Sequence, residues 1–136
     1  MEIKKNHYVS DIINRLNIEI SESGFVHADK EWSDKNICSP FSRLYFIESG
    51  EGIIKYDNKK IFLKPKNMYL IPTGLRYSYW CESELDKLFF HINLYKPDGY
   101  DIFSGVNRCI MLDCGAHTVK NLKEIYFGTT ISKTLQ

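Results

Sequence analysis

The sequence is poor in several things at once. Its 136 residues include only four prolines, four cysteines and four histidines. The cysteines, Cys38, Cys81, Cys109 and Cys114, form no C-x-x-C pair, and no charged-then-apolar leader occupies residues 1–5. They read as reduced thiols of a cytoplasmic chain. The Cys109 and Cys114 spacing would seat one edge of a zinc site, but no second pair follows at finger spacing, so no zinc finger is expected. Charge of one sign is also lacking: 18 Lys and Arg stand against 17 Asp and Glu, a net charge of +1. A nucleic-acid-binding domain usually shows a basic surplus or stripe, so this chain is not expected to hold DNA by itself. No apolar run approaches the roughly 20 residues of a spanning helix, which argues against a membrane partner. There is no G-x-S-x-G elbow, no G-x-G-x-x-G turn and no P-loop, so hydrolase triads and phosphate cradles lose their usual signatures.

What is present is a β pattern. Hydrophobic residues are 43% and aromatics 14% of a chain whose length suits one domain. Residues 16–20 alternate apolar and polar (Leu16, Ile18 and Ile20 against Asn17 and Glu19), the period of a half-buried strand, and Gly24 punctuates it. A polar loop with Trp32 as its anchor is expected over 27–36. Residues 42–48 (SRLYFIE) form the densest strand signal, and the glycines of 49–52 (SGEG) suggest a hairpin returning through 52–56. Asp57-Asn58 is a tight-turn dipeptide leading to a strand over 60–63. Further strands are expected over 68–71, 76–80, 87–95 (KLFFHINLY) and 108–112, with turns at 64–67, 72–74 and 97–99. About eight or nine short strands at such spacing predict a sandwich or barrel of the jelly-roll sort.

From Ala116 the period changes to that of a helix. Val119, Leu122, Ile125 and Tyr126 form an apolar stripe over 116–127, opposed by Lys120, Asn121, Lys123 and Glu124. A second helix is expected near Thr129, and the absence of a stop signal at 133–136 suggests that the natural chain continues. The domain organisation expected is a barrel over 1–115 and a helical segment over 116–136.

The order SRLYFIESGEG (42–52), Leu63-Lys64-Pro65, MYLIPTG (68–74), RYSYW (76–80) and FFHINL (89–94) resembles the N-terminal cupin domain of AraC-type transcriptional regulators. That resemblance implies a cupin-like jelly-roll barrel that receives a small molecule, often a sugar, followed by helices that pair two subunits. It also implies a bacterial origin and a helix-turn-helix domain, absent from this sequence, through which DNA would be bound. Catalytic cupins hold a metal with histidines and a glutamate. Aligned on the turn at 50–52, this chain has Arg43 at the glutamate position and 37–39 where two histidines would stand; aligned on 72–74, Tyr77 replaces the last histidine. A guanidinium brings a fixed positive charge where a cation would sit, so neither metal nor other cofactor is expected, and no catalysis. The usual glycine of the second motif is replaced by Lys66.

Strand alternation puts Arg43, Tyr45 and Ile47 on one face and Tyr77 and Tyr79 on one face of theirs. The resemblance turns those faces inward, giving a candidate ligand site of Arg43, Tyr45, Tyr77, Tyr79 and His91. Rings that stack on a sugar beside a guanidinium that forks a carboxylate suit a sugar or sugar acid. A scaffold alternative pairs Arg43 with Glu48 or Glu51 and leaves the tyrosines as core. The helical stripe of Val119, Leu122, Ile125 and Tyr126 serves a homodimer or packs on its own barrel. The expected function is a small-molecule-sensing and dimerising regulator domain. A free-standing cupin enzyme such as a sugar isomerase, or a carbohydrate-binding module, is the alternative.

Overall fold

A computed structural model describes residues 2–135, with side chains as far as residue 128. A short helix α1 (His7–Asn14) precedes nine strands, and a long helix α2 (Gly115–Leu135) follows them. The strands are β1 (Asn17–Ala28), β2 (Ser33–Ile37), β3 (Ser42–Gly50), β4 (Gly52–Tyr56), β5 (Lys59–Leu63), β6 (Asn67–Ile71), β7 (Tyr77–Trp80), β8 (Leu85–Tyr95) and β9 (Ile110–Asp113). They form two antiparallel sheets in the orders β1-β8-β3-β6-β9 and β2-β7-β4-β5. This is the expected jelly roll. No helix among the described residues is long and apolar enough to cross a membrane.

Local chemistry explains most boundaries. Asp57 and Asn58 take φ of 48° and 61°, the double left-handed turn that closes the β4–β5 hairpin. The turn at 49–52 does something other than expected: β3 and β4 lie in different sheets, so it carries the chain between them and closes no hairpin. Gly50 makes that crossing at φ +81°, where a Cβ would lie 2.1 Å from the Glu84 carbonyl oxygen. Lys66, standing where glycine is usual, accepts the strained value of φ 71°. Its amide donates to the Ile47 carbonyl, and its own carbonyl accepts from the amides of Cys114 and Gly115.

Four further expectations change, and one helix is added. Gly24 does not end β1 but lies within it, because a Cβ there would come 2.8 Å from the Phe89 ring on the neighbouring strand. Ile18 and Ile20 are 64% and 57% exposed and not half-buried. The register shift between Ile20 and Glu22 explains this: Ile20 pairs with Ile92 on the outer side, whereas Glu22 pairs with His91 and brings the next alternate residues inward. The polar stretch that reads as loop contains β2, an edge strand of sequence SDKNI whose side chains are mostly exposed. Helix α1, absent from the sequence-based expectation, starts from Asn6, whose side-chain oxygen accepts from the Val9 amide at 3.1 Å. The backbone of α2 runs on through Thr129 as one helix, so the second helix does not occur as a separate element.

Two apolar clusters result. One fills the barrel between the sheets and includes Tyr45, Ile47, Ile54, Leu63, Tyr69, Ile71, Tyr77 and Leu85. The other lies on the outer face of the five-stranded sheet, where Phe46, Leu88 and Val119 are buried and Phe25, Leu44, Phe90, Leu122 and Tyr126 pack around them.

Candidate functional site

The register of β3 against β8 builds the interior. Arg43 lies opposite His91, Tyr45 opposite Phe89 and Ile47 opposite Lys87. With a period of two, these six residues share the inner face. From the other sheet β7 contributes Tyr77 and Tyr79, and the turn before β2 contributes Trp32. Tyr45 and Tyr77 are 1% and 2% exposed, and the Arg43 guanidinium lies 5.8 Å from the Tyr77 ring and 5.4 Å from the Phe41 ring. The five residues expected to line a site are therefore gathered by two neighbouring strands of one sheet and a third across the barrel.

The polar groups of this interior are incompletely satisfied. Arg43 Nη2 donates to Ser39 Oγ at 3.1 Å. Arg43 Nε, the Tyr45 hydroxyl and the Tyr77 hydroxyl are buried with no well-formed hydrogen bond, and the contacts they have are with one another, Tyr45 lying between Arg43 and Tyr77. Each such atom costs about 1–3 kcal/mol relative to a satisfied one. The three groups lie close enough to shift one another's ionisation: burial pushes both phenols above their ordinary range, and Arg43 opposes the rise in each. The scaffold alternative divides: Tyr45 and Tyr77 do belong to the buried core, but the expected carboxylate pairing of Arg43 does not form among the described residues. Neither Glu48 nor Glu51 forms an ion pair with it; Glu48 accepts from Lys123 Nζ at 2.7 Å.

His91 stands with its ring stacked on Phe41 at 4.3 Å and its Nδ1 3.3 Å from Glu22. Burial and then Arg43 hold it below the ordinary histidine value. Tyr79 packs on Trp32 with ring centroids 4.4 Å apart, and it also borders an open depression on the outside of the smaller sheet with Lys30, Lys55 and Trp80. It is common to the interior and that surface.

The residue that the sequence reading missed is Lys87. It is 3% exposed, and its Nζ lies 3.7 Å from the Tyr45 ring centroid, 4.1 Å from Trp32 and 6.0 Å from Phe89. Among the described residues no carboxylate forms an ion pair with it. Burial and then the nearby Arg43 charge push the amine down to about 7. The signal was available: the phase that turns His91 inward also turns Phe89 and Lys87 inward.

The interior offers two cations, unsatisfied hydroxyls and aromatic faces. Among the described residues there is no cluster of three His, Cys, Asp or Glu side chains suited to a metal ion. A separate polar group joins β1, β8 and β3 at the surface, where His27 and Ser49 both bond Asp86, so that carboxylate is occupied in the scaffold. The helical stripe divides. Val119 is 3% exposed and, with Leu122 and Tyr126, packs on the chain's own sheet, and the Tyr126 hydroxyl donates to the Ser23 carbonyl. Of the four stripe residues Ile125, 64% exposed, is the one that faces away. Three of the four are thus committed to intrachain packing because their spacing matches the apolar outer face of β1, β3 and β8.

No protein-family model matches the sequence, and no curated protein matches it. Similarity appears among solved structures. ToxT from Vibrio cholerae O395, bound to (E)-4-(8-methylnaphthalen-1-yl)but-3-enoic acid, aligns at a TM-score of 0.50 and 13% identity over 79% of this chain. The match covers 48% of ToxT, so this chain spans about half of that protein's length. A cupin superfamily protein from Desulfitobacterium hafniense DCB-2 aligns at 0.43 and 21% identity over 57% of this chain and 77% of its own. A cupin-2 domain protein from Shewanella frigidimarina NCIMB 400 aligns at 0.44 and 15% identity over 57% of this chain and 70% of its own. The two-sheet antiparallel barrel with its trailing helix is thus a cupin-like jelly roll, the fold of the N-terminal domain of AraC-type regulators such as ToxT.

Proposed function

We propose that this domain is the effector-sensing part of a transcriptional regulator and that it takes a small carboxylate-bearing ligand, a sugar acid in particular, between its sheets. The observation that carries this reading is the set of buried polar atoms at Arg43, Tyr45 and Tyr77 that form no well-made hydrogen bond and meet only one another. A folded chain keeps such atoms at a cost to stability, and a bound molecule that pairs with them recovers it. A second cation, Lys87, without a carboxylate among the described residues adds the electrostatic preference for an anion. The Arg43 fork matches a carboxylate in geometry as well as charge, and the phenols suit ligand hydroxyls. Trp32, Tyr79 and Phe41 supply ring faces for the ligand's carbon skeleton. That ToxT binds a carboxylic acid with an aromatic body is consistent with the same choice of ligand charge.

Binding, and not turnover, is the role proposed. Effector binding would act by shifting the balance between arrangements of attached DNA-binding domains. A homodimer belongs to this reading, with the exposed Ile125 as the stripe residue left for its contact.

The test is a thermal-shift and calorimetric comparison of hexuronates with the corresponding neutral hexoses. A ligand at a hundred times its Kd adds about 2.7 kcal/mol to the folded state. Uronates are expected to raise Tm and neutral sugars not, with the effect lost in Arg43→Ala and weakened in Tyr77→Phe, both remaining folded. No stabilisation by any carboxylate, or unchanged affinity in both Arg43→Ala and Tyr79→Ala, would overturn the assignment.

A further inference from the structure

Lys87 asks for an explanation that electrostatics alone does not supply. A carboxylate-binding barrel already has Arg43, whose charge is permanent. A second cation would serve that purpose best near solvent or beside a polar anchor. Instead the chain holds Lys87, 3% exposed as a residue, with its amine among the rings of Tyr45, Trp32 and Phe89 and neither a hydrogen bond nor an ion pair described for the nitrogen. A lysine desolvated by apolar walls beside another cation is the arrangement that makes an amine nucleophilic at neutral pH.

The positions of the two cations set the ligand. Arg43 and Lys87 sit on neighbouring strands, four residues apart in register, with Tyr45 between them on the same face. Their backbones are therefore separated by about 13 Å along the sheet. Both side chains lean toward Tyr45, since Lys87 Nζ is 3.7 Å from that ring and Arg43 alters the ionisation of its hydroxyl. A molecule whose carboxylate rests on the guanidinium would present its next few carbons to the amine.

We propose that Lys87 captures the ligand covalently and reversibly, as an imine, so that the class recognised is an oxo acid: a carboxylate with an aldehyde or ketone within reach. This rests on the reading that the barrel interior receives a carboxylate. In the step itself, the amine lone pair forms the N–C bond as the carbonyl π pair moves to oxygen. A proton passes from nitrogen to that oxygen, giving a carbinolamine. The C–O bond then breaks, water leaves with the remaining nitrogen proton, and a C=N bond stands in its place. One carbonyl and one amine give one imine and one water, with no oxidant or reductant. The low-polarity walls favour loss of water, and hydrolysis on ligand release restores the amine. The position of the amine near pH 7 supplies the unprotonated form that the first step needs.

The experiment uses glyoxylate, the smallest aldehyde acid, with sodium cyanoborohydride at pH 7, followed by intact-mass and peptide mapping. The expected product is one carboxymethyl group on Lys87, formed at least about tenfold faster than on any solvent-facing lysine. Propionate, which carries the acid without the carbonyl, is expected to slow the labelling, and Trp32→Ala to speed it by opening the cage. Lys87→Arg should abolish the fast label. Equal labelling of Lys87 and surface lysines, or a fast label that propionate leaves unchanged, would overturn the covalent capture. Stabilisation by propionate without fast labelling overturns the imine and leaves the carboxylate site standing, whereas failure of both removes the two readings together.

Discussion

Lys87 and Lys123 each hold an ammonium over an aromatic face, Lys87 at 3.7 Å from the Tyr45 centroid and Lys123 at 4.7 Å from that of Phe25. Beyond that they differ in every respect that sets an energy. Lys123 stands where α2 meets the outer face of the larger sheet, its side chain 33% exposed, and it reaches Glu48 at 2.7 Å. Lys87 stands inside the barrel, 3% exposed, with no ion pair described. The clusters around them divide in the same way. The outer one is built from Phe46, Leu88 and Val119, and the charged group beside it is paired. The inner one is built around Tyr45 and Tyr77 and keeps three buried polar atoms without a well-formed hydrogen bond. One face of the sheet is therefore organised to hold the fold together, and the other gives up stability at positions where a ligand would restore it.

The sharpest way to break this comparison is to change two adjacent residues. Leu88 is 1% exposed and faces outward, so Leu88→Ala leaves a cavity and is expected to lose about 2–5 kcal/mol in urea denaturation. Lys87→Met, one position earlier on the opposite face, replaces a buried unpaired charge by an apolar chain of similar length. It is expected to gain about 1–3 kcal/mol. Opposite signs at neighbouring positions are the signature; a loss at both would mean that the Lys87 ammonium has a compensating partner. The same lysine sets a pH dependence. Unfolded, it keeps its proton toward 10.5, whereas folded it gives the proton up at about 7. Between those values the unfolded state binds more protons, so stability rises with pH. The wild type should therefore gain on Lys87→Met between pH 7 and pH 9, and parallel curves would refute the burial of a titrating amine.

How much of this the sequence announced depends on which physical signal each feature left. The dense central strands, the Asp57-Asn58 turn and the amphipathic stripe of α2 were legible because period and turn chemistry are local. Arg43, Tyr45, Tyr77, Tyr79 and His91 could be grouped because alternation and the resemblance fixed one phase. Lys87 was missed because a charged residue at the start of an apolar strand reads as its solvent end, although the phase that turns His91 inward turns it inward too, and the β3–β8 register places it opposite Ile47 inside the barrel. The sheet change at Gly50 was hidden for a related reason: glycine at positive φ suits a hairpin and a crossover equally, and the distinction lies in contact with Glu84, far along the chain. The exposure of Ile18 and Ile20 depends on one bulge, which alternation cannot foresee.

A smaller effect tests the frame common to both faces. Lys66 holds φ at 71°, a conformation that costs a side-chain-bearing residue about 1–2 kcal/mol and glycine much less. Its structural contacts run through the backbone, to Ile47, Cys114 and Gly115, so Lys66→Gly leaves them in place. After the greater chain entropy of unfolded glycine is subtracted, a gain of about 0.5–1 kcal/mol is expected in thermal or urea unfolding. A loss would show that the lysine side chain contributes to the turn.

The smallest expected change is at Lys123, and it returns to the pair of lysines. Its ion pair with Glu48 is partly exposed, 33% and 32% at the two side chains, so much of the Coulomb attraction is screened by water. Lys123→Met should cost no more than about 1 kcal/mol, and the methylene stem over Phe25 is replaced by another apolar chain. That cost should shrink between 0.05 and 1 M salt, roughly a Debye length of 14 Å against 3 Å. The gain in Lys87→Met, which comes from removing a charge that mobile ions do not reach, should stay nearly constant over the same range. Two lysines over two rings would then separate by salt alone, and equal salt dependence would show that the barrel interior is as open to solvent as the helix face.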